Sequence, residues 1–424
     1  MMTNTYLPHV GGVARSVSAF SNMYRKLGHN VLVVAPEFPN MPEREEHVIR
    51  IPAIQRFNGT DFSVVLPVPH FLGAAVEEFE PDIVHSHHPF LVGSIAARIA
   101  STYELPLVFT HHTMYERYTH YVPGDSDTLK RFVIKLATSY ANLCDLVFAP
   151  SESIETLLLK RQVTSPIKVL PTGVDLTSFA KGDGKSFRKA MNIPIDAFVV
   201  GHLGRLAPEK NLTFLSEALI DFLHVTPQAH FLLIGKGNAT KQIQNTFKLG
   251  GLSARLHYVP TLHQPLLSSA YKAMDVFVFS SHSETQGMVL TEAFAAGVPV
   301  IALDAPGARE VVKDNSNGRL LPANSDKKHF ADAIADYLNQ PNKIKTNFKS
   351  SAYDTAKKFS IEQSAVLALN GYANILGKNY AHRPKEHQLL AELSHLIKIE
   401  WELFANIASA AADAVSEPDS DSKQ

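Results

Sequence analysis

The sequence has almost no cysteine, no long hydrophobic run and no excess of charge of either sign. Its single cysteine, Cys144, excludes an intrachain disulfide and favours a reducing compartment. The apolar neighbours of Cys144 predict a buried, small hydrophobic side chain. No stretch of about 18 apolar residues is present, which argues against a membrane-spanning helix, and no signal-peptide pattern is recognisable.

The charges are balanced, with 40 Lys and Arg against 41 Asp and Glu. This balance argues against a general nucleic-acid partner and against electrostatic attachment of a whole face to anionic lipid. A chain of 424 residues with 45% hydrophobic content can build two sizeable α/β domains. We expect a cytoplasmic enzyme and leave open peripheral contact with the inner face of the plasma membrane; the sequence indicates no oligomeric state.

One stretch, residues 280–303, carries most of the candidate chemistry. It follows an apolar run at 276–279 and ends in another at 298–303, and both runs predict buried strands. Between them, residues 288–296 have a helix-forming composition. In a strand–loop–helix unit the loop meets the helix N-terminus, whose free N–H groups suit an anion. Gly287 would let the backbone approach a phosphate closely.

Two carboxylates frame this turn. Glu284 lies in the loop, and Glu292 lies about one turn inside the helix, so both can face one crevice. A diphosphate is bound by donors, so the acids would serve sugar hydroxyls attached to it. The pattern therefore predicts a nucleotide-sugar site. For either Glu alone, stabilisation of the helix dipole is the alternative.

The spacing of these two acids resembles the E-x7-E region of the retaining glycosyltransferases of family 4, which have the GT-B fold. Most family members carry Phe where this chain has Gln286. The E-T-Q-G form, together with H-H-T-M-Y-E-R-Y-T-H-Y at residues 111–121, is similar to the branch that contains diacylglycerol glucosyltransferases. The resemblance extends from about Thr3 to Leu376.

The resemblance implies an α/β architecture of the GT-B type, with two Rossmann-like domains facing across a cleft and a C-terminal helix that crosses back. The expected segments are an acceptor-side domain over 1–172, a nucleotide-sugar-binding domain over 173–360, helices that pack back on the first domain over 361–410, and a disordered tail over 411–424. In the family, a full apolar strand precedes the first loop. Only Met1 and Met2 stand in its place, so we expect a truncated first strand.

Two cations follow the predicted strand at 198–202. Arg205 supplies a fork of donors and Lys210 a mobile point charge, which together suit a diphosphate. Solvated surface charge is the alternative. Gly11 and Gly12 precede a helical pattern; alone they indicate a turn, whereas the resemblance implies that they lie beside the donor diphosphate.

The resemblance also implies roles for other residues. The backbone near Val259 would receive the nucleobase, and the amides of Met288 and Val289 would join the diphosphate site. His112 matches the histidine that approaches the donor sugar, and His111 is the adjacent candidate. The acceptor-side residues would be His85, His87, Tyr115 and Tyr118.

Two patterns could instead indicate a metal. The H-x-H of His85 and His87 could begin a zinc site, but no further ligands stand at a useful spacing. Asp125-Ser126-Asp127 matches the D-x-D motif of the other glycosyltransferase fold, yet it precedes a helical pattern, which favours N-capping. We therefore expect no metal and no cofactor, with a UDP-sugar as co-substrate.

The resemblance implies a retaining hexosyltransferase that moves a sugar from a nucleotide sugar, with the UDP-glucose type favoured, to a hydroxyl of diacylglycerol or another membrane lipid. A polysaccharide or small-molecule acceptor stays open, as does a non-catalytic nucleotide-sugar-binding protein. An epimerase or a phosphorylase has no support in the sequence. A dinucleotide oxidoreductase would need a strand-linked G-x-G-x-x-G followed by a ribose-binding acid, and none is present.

Overall fold

In a computed structural model, the described residues are 1–9, 11–54, 64–65, 69–117 and 126–377. They form two compact units. The first comprises Met1–Thr172 with the chain from Ser364 onward, and the second comprises Gly173–Gln363. Within these ranges, no helix has both the length and the apolar character needed to cross a membrane.

The first unit is an α/β structure with short strands, most of which pair in parallel. Its strands are β1 (Val33–Pro36), β2 (Val48–Ile51), β3 (Ala53–Ile54), β4 (Val64–Val65), β5 (Val84–Ser86), β6 (Leu107–Thr110), β7 (Leu146–Ala149) and β8 (Ile167–Val169). Its helices are α1 (Gly12–Lys26), α2 (Pro69–Phe79), α3 (Val92–Thr102), α4 (Asp127–Asn142) and α5 (Glu152–Lys160). Strands β5, β6, β7 and β8 pair in parallel in that order, as do β1 and β2, whereas β3 and β4 are antiparallel.

The first residues of the chain lie between β1 and β5. Met2 forms parallel bridges to Val34 and to Ser86, and its amide donates to the carbonyl of His85 at 2.8 Å. These residues therefore bridge β1 and β5. Cys144 is buried in the apolar core of this unit, as its neighbours predicted.

The second unit is a six-stranded parallel sheet with helices. The strands are β9 (Phe198–Leu203), β10 (Ala229–Ile234), β11 (Leu256–Val259), β12 (Val276–Phe279), β13 (Val300–Leu303) and β14 (Gly318–Leu321). The helices are α6 (Leu176–Ala180), α7 (Gly184–Ala190), α8 (Leu212–Val225), α9 (Thr240–Leu249), α10 (Leu266–Lys272), α11 (Met288–Ala295), α12 (Lys327–Leu338) and α13 (Asn342–Lys358). The strand order is β11-β10-β9-β12-β13-β14.

The apolar runs of this sheet are covered on both faces, which is why they read as continuous rather than alternating hydrophobic segments. Val199 and Phe277 belong to one buried cluster, and their neighbours Val200 and Val278 belong to another. Successive side chains of one strand point to opposite faces. The two clusters are therefore the two cores that hold the helices on the sheet.

The last described helix, α14 (Ile361–Leu376), belongs to the first unit from Ser364 onward. A Cβ added at Gly371 would lie 2.8 Å from the ring of Phe148, so the helix backbone rests directly on β7. Tyr372 on the same helix donates or accepts a hydrogen bond with Nδ1 of His85 at 2.6 Å. The helices expected over 378–410 and the tail at 411–424 lie outside the described residues.

Candidate functional site

The predicted polar residues of the second unit lie where the order of its strands reverses. The chain runs from β9 outward through β10 to β11 and then returns to β12 on the other side of β9. In open parallel sheets, ligands bind outside the carboxyl ends of the strands at this switch point. The loop that follows β9 carries the predicted cations, and the loop that follows β12 carries Glu284.

Hydrogen bonds tie these two loops together. The Ser283 hydroxyl donates to the Glu209 carbonyl at 3.1 Å, and the Ser280 hydroxyl donates to the Lys210 carbonyl at 3.2 Å. Asn211, which begins α8 in a left-handed conformation, donates to the Ser280 carbonyl at 3.3 Å. The two loops therefore form one polar layer rather than two independent turns.

Lys210 and Glu284, predicted from separate motifs, form an ion pair across this layer. Both side chains are largely covered, with exposures of 13% and 18%. Burial raises the pKa of the Glu284 carboxyl, but the Lys210 charge and hydrogen bonds from Lys210 and Ser281 outweigh it and hold the pKa below its usual range. Glu284 is therefore ionised at neutral pH beside a cation.

Arg205 also lies at the switch point and pairs with Glu209. Its side chain is 39% exposed, so it is the more accessible of the two cations. Sequence reasoning did not single out Glu209. Glu209 lies in the short helical turn Pro208–Lys210, which follows Arg205 in the same loop.

The turn into α11 is held by glycine backbone. Gly287 has φ +70° and ψ +51°, a left-handed backbone conformation that residues other than glycine rarely adopt. A Cβ at Gly307, in the loop after β13, would lie only 2.5 Å from the Cβ of Glu284. The Gly307 amide donates to Glu310 at 2.7 Å. A third loop thus packs against the turn that presents Glu284 and the first amides of α11.

Glu292 lies in the second turn of α11 and is 3% exposed. Its carboxylate accepts a hydrogen bond from the Tyr271 hydroxyl at 2.8 Å. The same hydroxyl lies 3.3 Å from the carbonyl of Val289. Tyr271 therefore fixes the carboxylate against the first turn of α11. Sequence reasoning missed Tyr271 because it lies in an apolar helix pattern and only the fold brings it to Glu292.

Val259 and the glycine pair occupy less constrained positions. Val259 ends β11 at the same edge of the sheet, and its carbonyl accepts from the Gly235 amide at 2.9 Å. Gly11 is extended and precedes α1, and Gly12 is its first residue. No atom outside the immediate backbone lies within 4 Å of a Cβ added at Gly12, so local packing does not demand glycine there.

The first unit brings four predicted histidines together. His85 and His87 follow each other on β5 and its extension, with ring centroids 4.2 Å apart. His87 Nδ1 lies 2.9 Å from His112 Nε2. His85 is buried, with Nε2 bonded to the Thr110 hydroxyl at 2.7 Å. His111 is buried with its ring edge-on to Phe109 and Tyr115, whereas His112 is only half-buried.

Tyr115 lies in a short helical turn with its ring against Phe90, at a centroid distance of 5.1 Å. Tyr118 and Asp125 lie outside the described residues. Ser126 caps α4 and accepts from the Leu129 amide at 3.2 Å, which confirms the capping interpretation for this part of the motif. Among the residues whose positions are described, no three His, Cys, Asp or Glu side chains form a group that could hold a metal ion.

Burial lowers the pKa of five histidines at and after β5 and β6. It lowers the pKa values of His88, His111 and His112 to about 3. It also lowers the pKa values of His85 and His87 well below their usual range. An unperturbed histidine titrates near pH 6.5, so the folded first unit binds fewer protons than the unfolded chain.

We therefore expect the free energy of unfolding to fall as the pH drops below about 6.5, with a slope of up to about 1.4 kcal/mol per pH unit for each buried histidine. The sign follows because a depressed histidine pKa contributes stability above the unfolded pKa that is lost as the pH falls towards the folded one. Denaturant unfolding at pH 7.5, 6 and 5 measures it. His112→Gln should reduce the slope; a flat profile would contradict the burial of the cluster.

Comparison with known proteins places this fold in a class. A sucrose-phosphate synthase structure from Thermosynechococcus elongatus aligns with a TM-score of 0.74 at 21% identity, covering 89% of this chain and 99% of that chain. The two parallel-sheet units and this likeness define the GT-B fold. The fold predicted from the resemblance is confirmed.

Sequence comparison then gives the family. The model for Glycosyltransferase Family 4 matches residues 10–178, and the model for Glycosyl transferases group 1 matches residues 183–355. The chain belongs to the family 4 glycosyltransferases and is an enzyme that transfers a sugar.

Two curated relatives illustrate the range of this family. The chain is 27% identical over 394 residues to an alpha-monoglucosyldiacylglycerol synthase of Acholeplasma laidlawii, covering 89% of this chain and 97% of the relative. It is 28% identical over 353 residues to a GDP-mannose-dependent alpha-mannosyltransferase of Mycobacterium tuberculosis, covering 80% of this chain and 88% of the relative. The first relative agrees with the branch suggested by the E-T-Q-G motif.

Proposed function

We propose that this enzyme transfers glucose from UDP-glucose to a hydroxyl of diacylglycerol with retention of the anomeric configuration. The observation that carries the donor half is the Lys210–Glu284 pair at the switch point, beside the left-handed Gly287 that opens α11. It joins a cation and a carboxylate in one polar layer, next to the N-terminus of α11. The near full-length likeness to a glucosyldiacylglycerol synthase supports the acceptor.

In this proposal the chain's task is to stabilise charge that builds on the leaving diphosphate. Arg205, Lys210 and the amides of Met288 and Val289 would donate to the diphosphate oxygens. Glu284 would accept hydrogen bonds from hydroxyls of the transferred sugar. Glu292, held by Tyr271, would accept from the ribose, and the backbone near Val259 would meet the base.

The reaction forms a bond between the acceptor oxygen and the anomeric carbon on the face from which the diphosphate oxygen leaves. The acceptor hydroxyl proton passes to the leaving diphosphate, so the products are the glycolipid and UDP. No step needs a metal or a second carboxylate as nucleophile. This same-face transfer forms no glycosyl-enzyme intermediate. Retaining glycosidases, in contrast, form such an intermediate on a carboxylate nucleophile.

The proposal is tested by measuring nucleoside diphosphate release with UDP-glucose, UDP-galactose and GDP-mannose against vesicles that contain diacylglycerol. UDP-glucose should react fastest, and NMR of the product should show an α-glucoside on the glycerol hydroxyl. Preference for GDP-mannose would reassign the donor. Release that does not depend on diacylglycerol would overturn the acceptor, and a β-linked product would overturn retention.

Replacing Glu292 with glutamine should weaken UDP binding about tenfold, because a charged hydrogen bond contributes roughly 1.5–3 kcal/mol and 1.4 kcal/mol is a factor of ten. Glutamine keeps the size of the side chain and an oxygen for the Tyr271 hydroxyl, so packing should persist. Titration calorimetry with UDP measures the effect. The matched control is Glu217→Gln, an exposed acid on α8; equal dissociation constants for the two variants would count against the ribose role of Glu292.

A further inference from the structure

His202 lies near the end of β9, three residues before Arg205. Its side chain is buried, at 1% exposure, and has no part in the donor site proposed above. We propose that His202 is a positioning residue for Lys210, because its Nε2 accepts one N–H of the Lys210 ammonium when the donor diphosphate is bound. The proposal deepens the proposed function and rests on it for the role of Lys210 at the diphosphate.

The proton of the His202 ring is on Nδ1. This nitrogen lies 2.9 Å from the carbonyl oxygen of Val278, and a carbonyl oxygen can only accept a hydrogen bond. Burial lowers the pKa of His202 to about 4, so the ring is neutral at pH 7 and carries a single N–H. Nε2 of His202 is therefore a bare acceptor.

This acceptor is left unsatisfied among the described residues. Nε2 of His202 is buried and meets no hydrogen-bond donor there. A buried polar atom without a partner costs free energy, and such atoms are rare in native proteins unless they serve a function. The bare nitrogen therefore indicates a donor that reaches it when the site is occupied.

The ring of His202 bridges the two strands that carry the polar layer. β9 pairs in parallel with β12 up to the preceding residue, so His202 and Val278 are neighbours across the two strands. Nε2 lies near the carboxyl end of β9, because a Cβ added at Gly204 would be 3.8 Å from it. This is the edge of the sheet from which the loops with Lys210 and Glu284 begin.

Lys210 is the donor that fits this acceptor. Beyond burial and the hydrogen bond to Val278, the charges of Lys210 and Glu284 also act on the pKa of His202, so both groups lie close to the ring. A carboxylate cannot donate to a bare nitrogen, whereas an ammonium has three N–H donors. Glu284 accepts one of them in the ion pair, and the proposed diphosphate accepts a second. The third would meet His202, so two protein acceptors would aim the ammonium at the diphosphate.

Side-chain NMR of the enzyme with ¹⁵N-labelled histidine tests the tautomer and the hydrogen bond without turnover. The signals of His202 are identified by their loss in His202→Asn. We expect a protonated Nδ1 and a bare Nε2 in the free enzyme, and an upfield shift of the Nε2 signal when saturating UDP is added. A proton on Nε2 in the free enzyme would overturn the proposal, as would an Nε2 signal that bound UDP leaves unchanged.

The variant Lys210→Ala shows which group donates to Nε2. At a UDP concentration that titration calorimetry shows to be saturating, this variant should lack the upfield shift. The same shift in Lys210→Ala would mean that the nucleotide or another group donates, and the positioning of Lys210 would be rejected. If the wild-type enzyme binds no UDP, the proposed function fails and this inference fails with it. Normal binding of UDP without the shift overturns the inference alone.

Three variants of His202 test the effect on transfer. His202→Asn keeps a donor for the Val278 carbonyl without an acceptor at the Nε2 position, whereas His202→Gln places its amide oxygen there. His202→Phe keeps an aromatic ring beside Phe277 and has neither group. We expect kcat to fall about tenfold in the Asn and Phe variants, since a hydrogen bond to a charged group is lost. The KM for UDP-glucose should change little, because Lys210 acts mainly on charge that develops in the transition state. His202→Gln should restore most of the loss.

A double variant separates positioning from a purely structural role. In the Lys210→Ala background, His202→Asn should change kcat by less than about twofold, because His202 acts through Lys210. A structural role would lower kcat by the same factor in both backgrounds. Thermal unfolding checks that each variant is folded. An equal loss in both backgrounds, or a wild-type kcat in folded His202→Asn, would overturn the proposal.

Discussion

Replacing Lys210 with alanine is expected to slow glucose transfer at least about a hundredfold. Loss of one preorganised donor to a developing negative charge typically removes roughly 3–4 kcal/mol of barrier stabilisation. Lys210 lies at the switch point, its ammonium is largely covered, and low solvent exposure strengthens its interaction with a diphosphate. Steady-state measurement of kcat and kcat/KM with UDP-glucose and diacylglycerol vesicles gives the size of the loss.

The control for this variant is Lys328→Ala. Lys328 is a lysine of α12 whose side chain is 81% exposed and pairs with Asp332 on the same helix. It should leave kcat within about twofold of the wild type, because exposed ion pairs contribute little. If Lys210→Ala turns over at a near-normal rate and its thermal unfolding matches that of the wild type, Lys210 does not bind the diphosphate.

Replacing Glu284 with alanine should lower kcat/KM roughly ten- to hundredfold, because a hydrogen bond between a charged group and a hydroxyl contributes about 1.5–3 kcal/mol. The variant also leaves Lys210 without its carboxylate partner. Both residues would act on one bound donor, so their effects should not be independent. The double variant should lose clearly less than the product of the two single losses.

A double-mutant cycle over Lys210 and Glu284 measures this coupling. The four proteins are the wild type, the two single alanine variants and the double variant. A coupling of at least about 1 kcal/mol is expected, since residues in one ion-pair network typically couple by 0.5–3 kcal/mol. Strict additivity would mean that the pair seen between Nζ of Lys210 and the Glu284 carboxylate has no part in transfer.

The elements that position the donor half could be predicted from local sequence. The apolar run at 276–279 is β12, and the helix expected at 288–296 is α11, Met288–Ala295. The strand expected at 198–202 is β9, which continues to Leu203. These elements are specified by buried β-branched and aromatic residues and by Gly287 and the helix-ending glycine, all of which act through near neighbours.

The partners of the site residues could not be predicted in the same way. Pairing of Lys210 with Glu284 joins residues 74 apart in the chain, and the hydrogen bond of Tyr271 to Glu292 needs α10 to lie beside α11. Both depend on strand order, which local periodicity does not contain. The packing of Gly307 against Glu284 likewise needs the position of a third loop.

For the histidines, too, the local placement could be predicted and the hydrogen-bond partners could not. The i, i+2 spacing of His85 and His87 on an extended segment predicts that both rings face one side of the sheet. Their partners come from the next strand, where Thr110 bonds to His85 and His112 to His87. The resemblance implied acceptor-side positions for both histidines, and the structure adds that each is buried and bonded within the first unit.

The proposed donor site requires the polar layer of the second unit to converge on one sugar diphosphate. A crystal structure of the enzyme with UDP-glucose tests this arrangement most directly. We expect diphosphate oxygens within hydrogen-bonding distance of Arg205, Lys210 and the Met288 amide, with Glu284 at the glucose hydroxyls. A nucleotide bound elsewhere, with the Lys210–Glu284 pair unchanged and distant from it, would rule out this donor site.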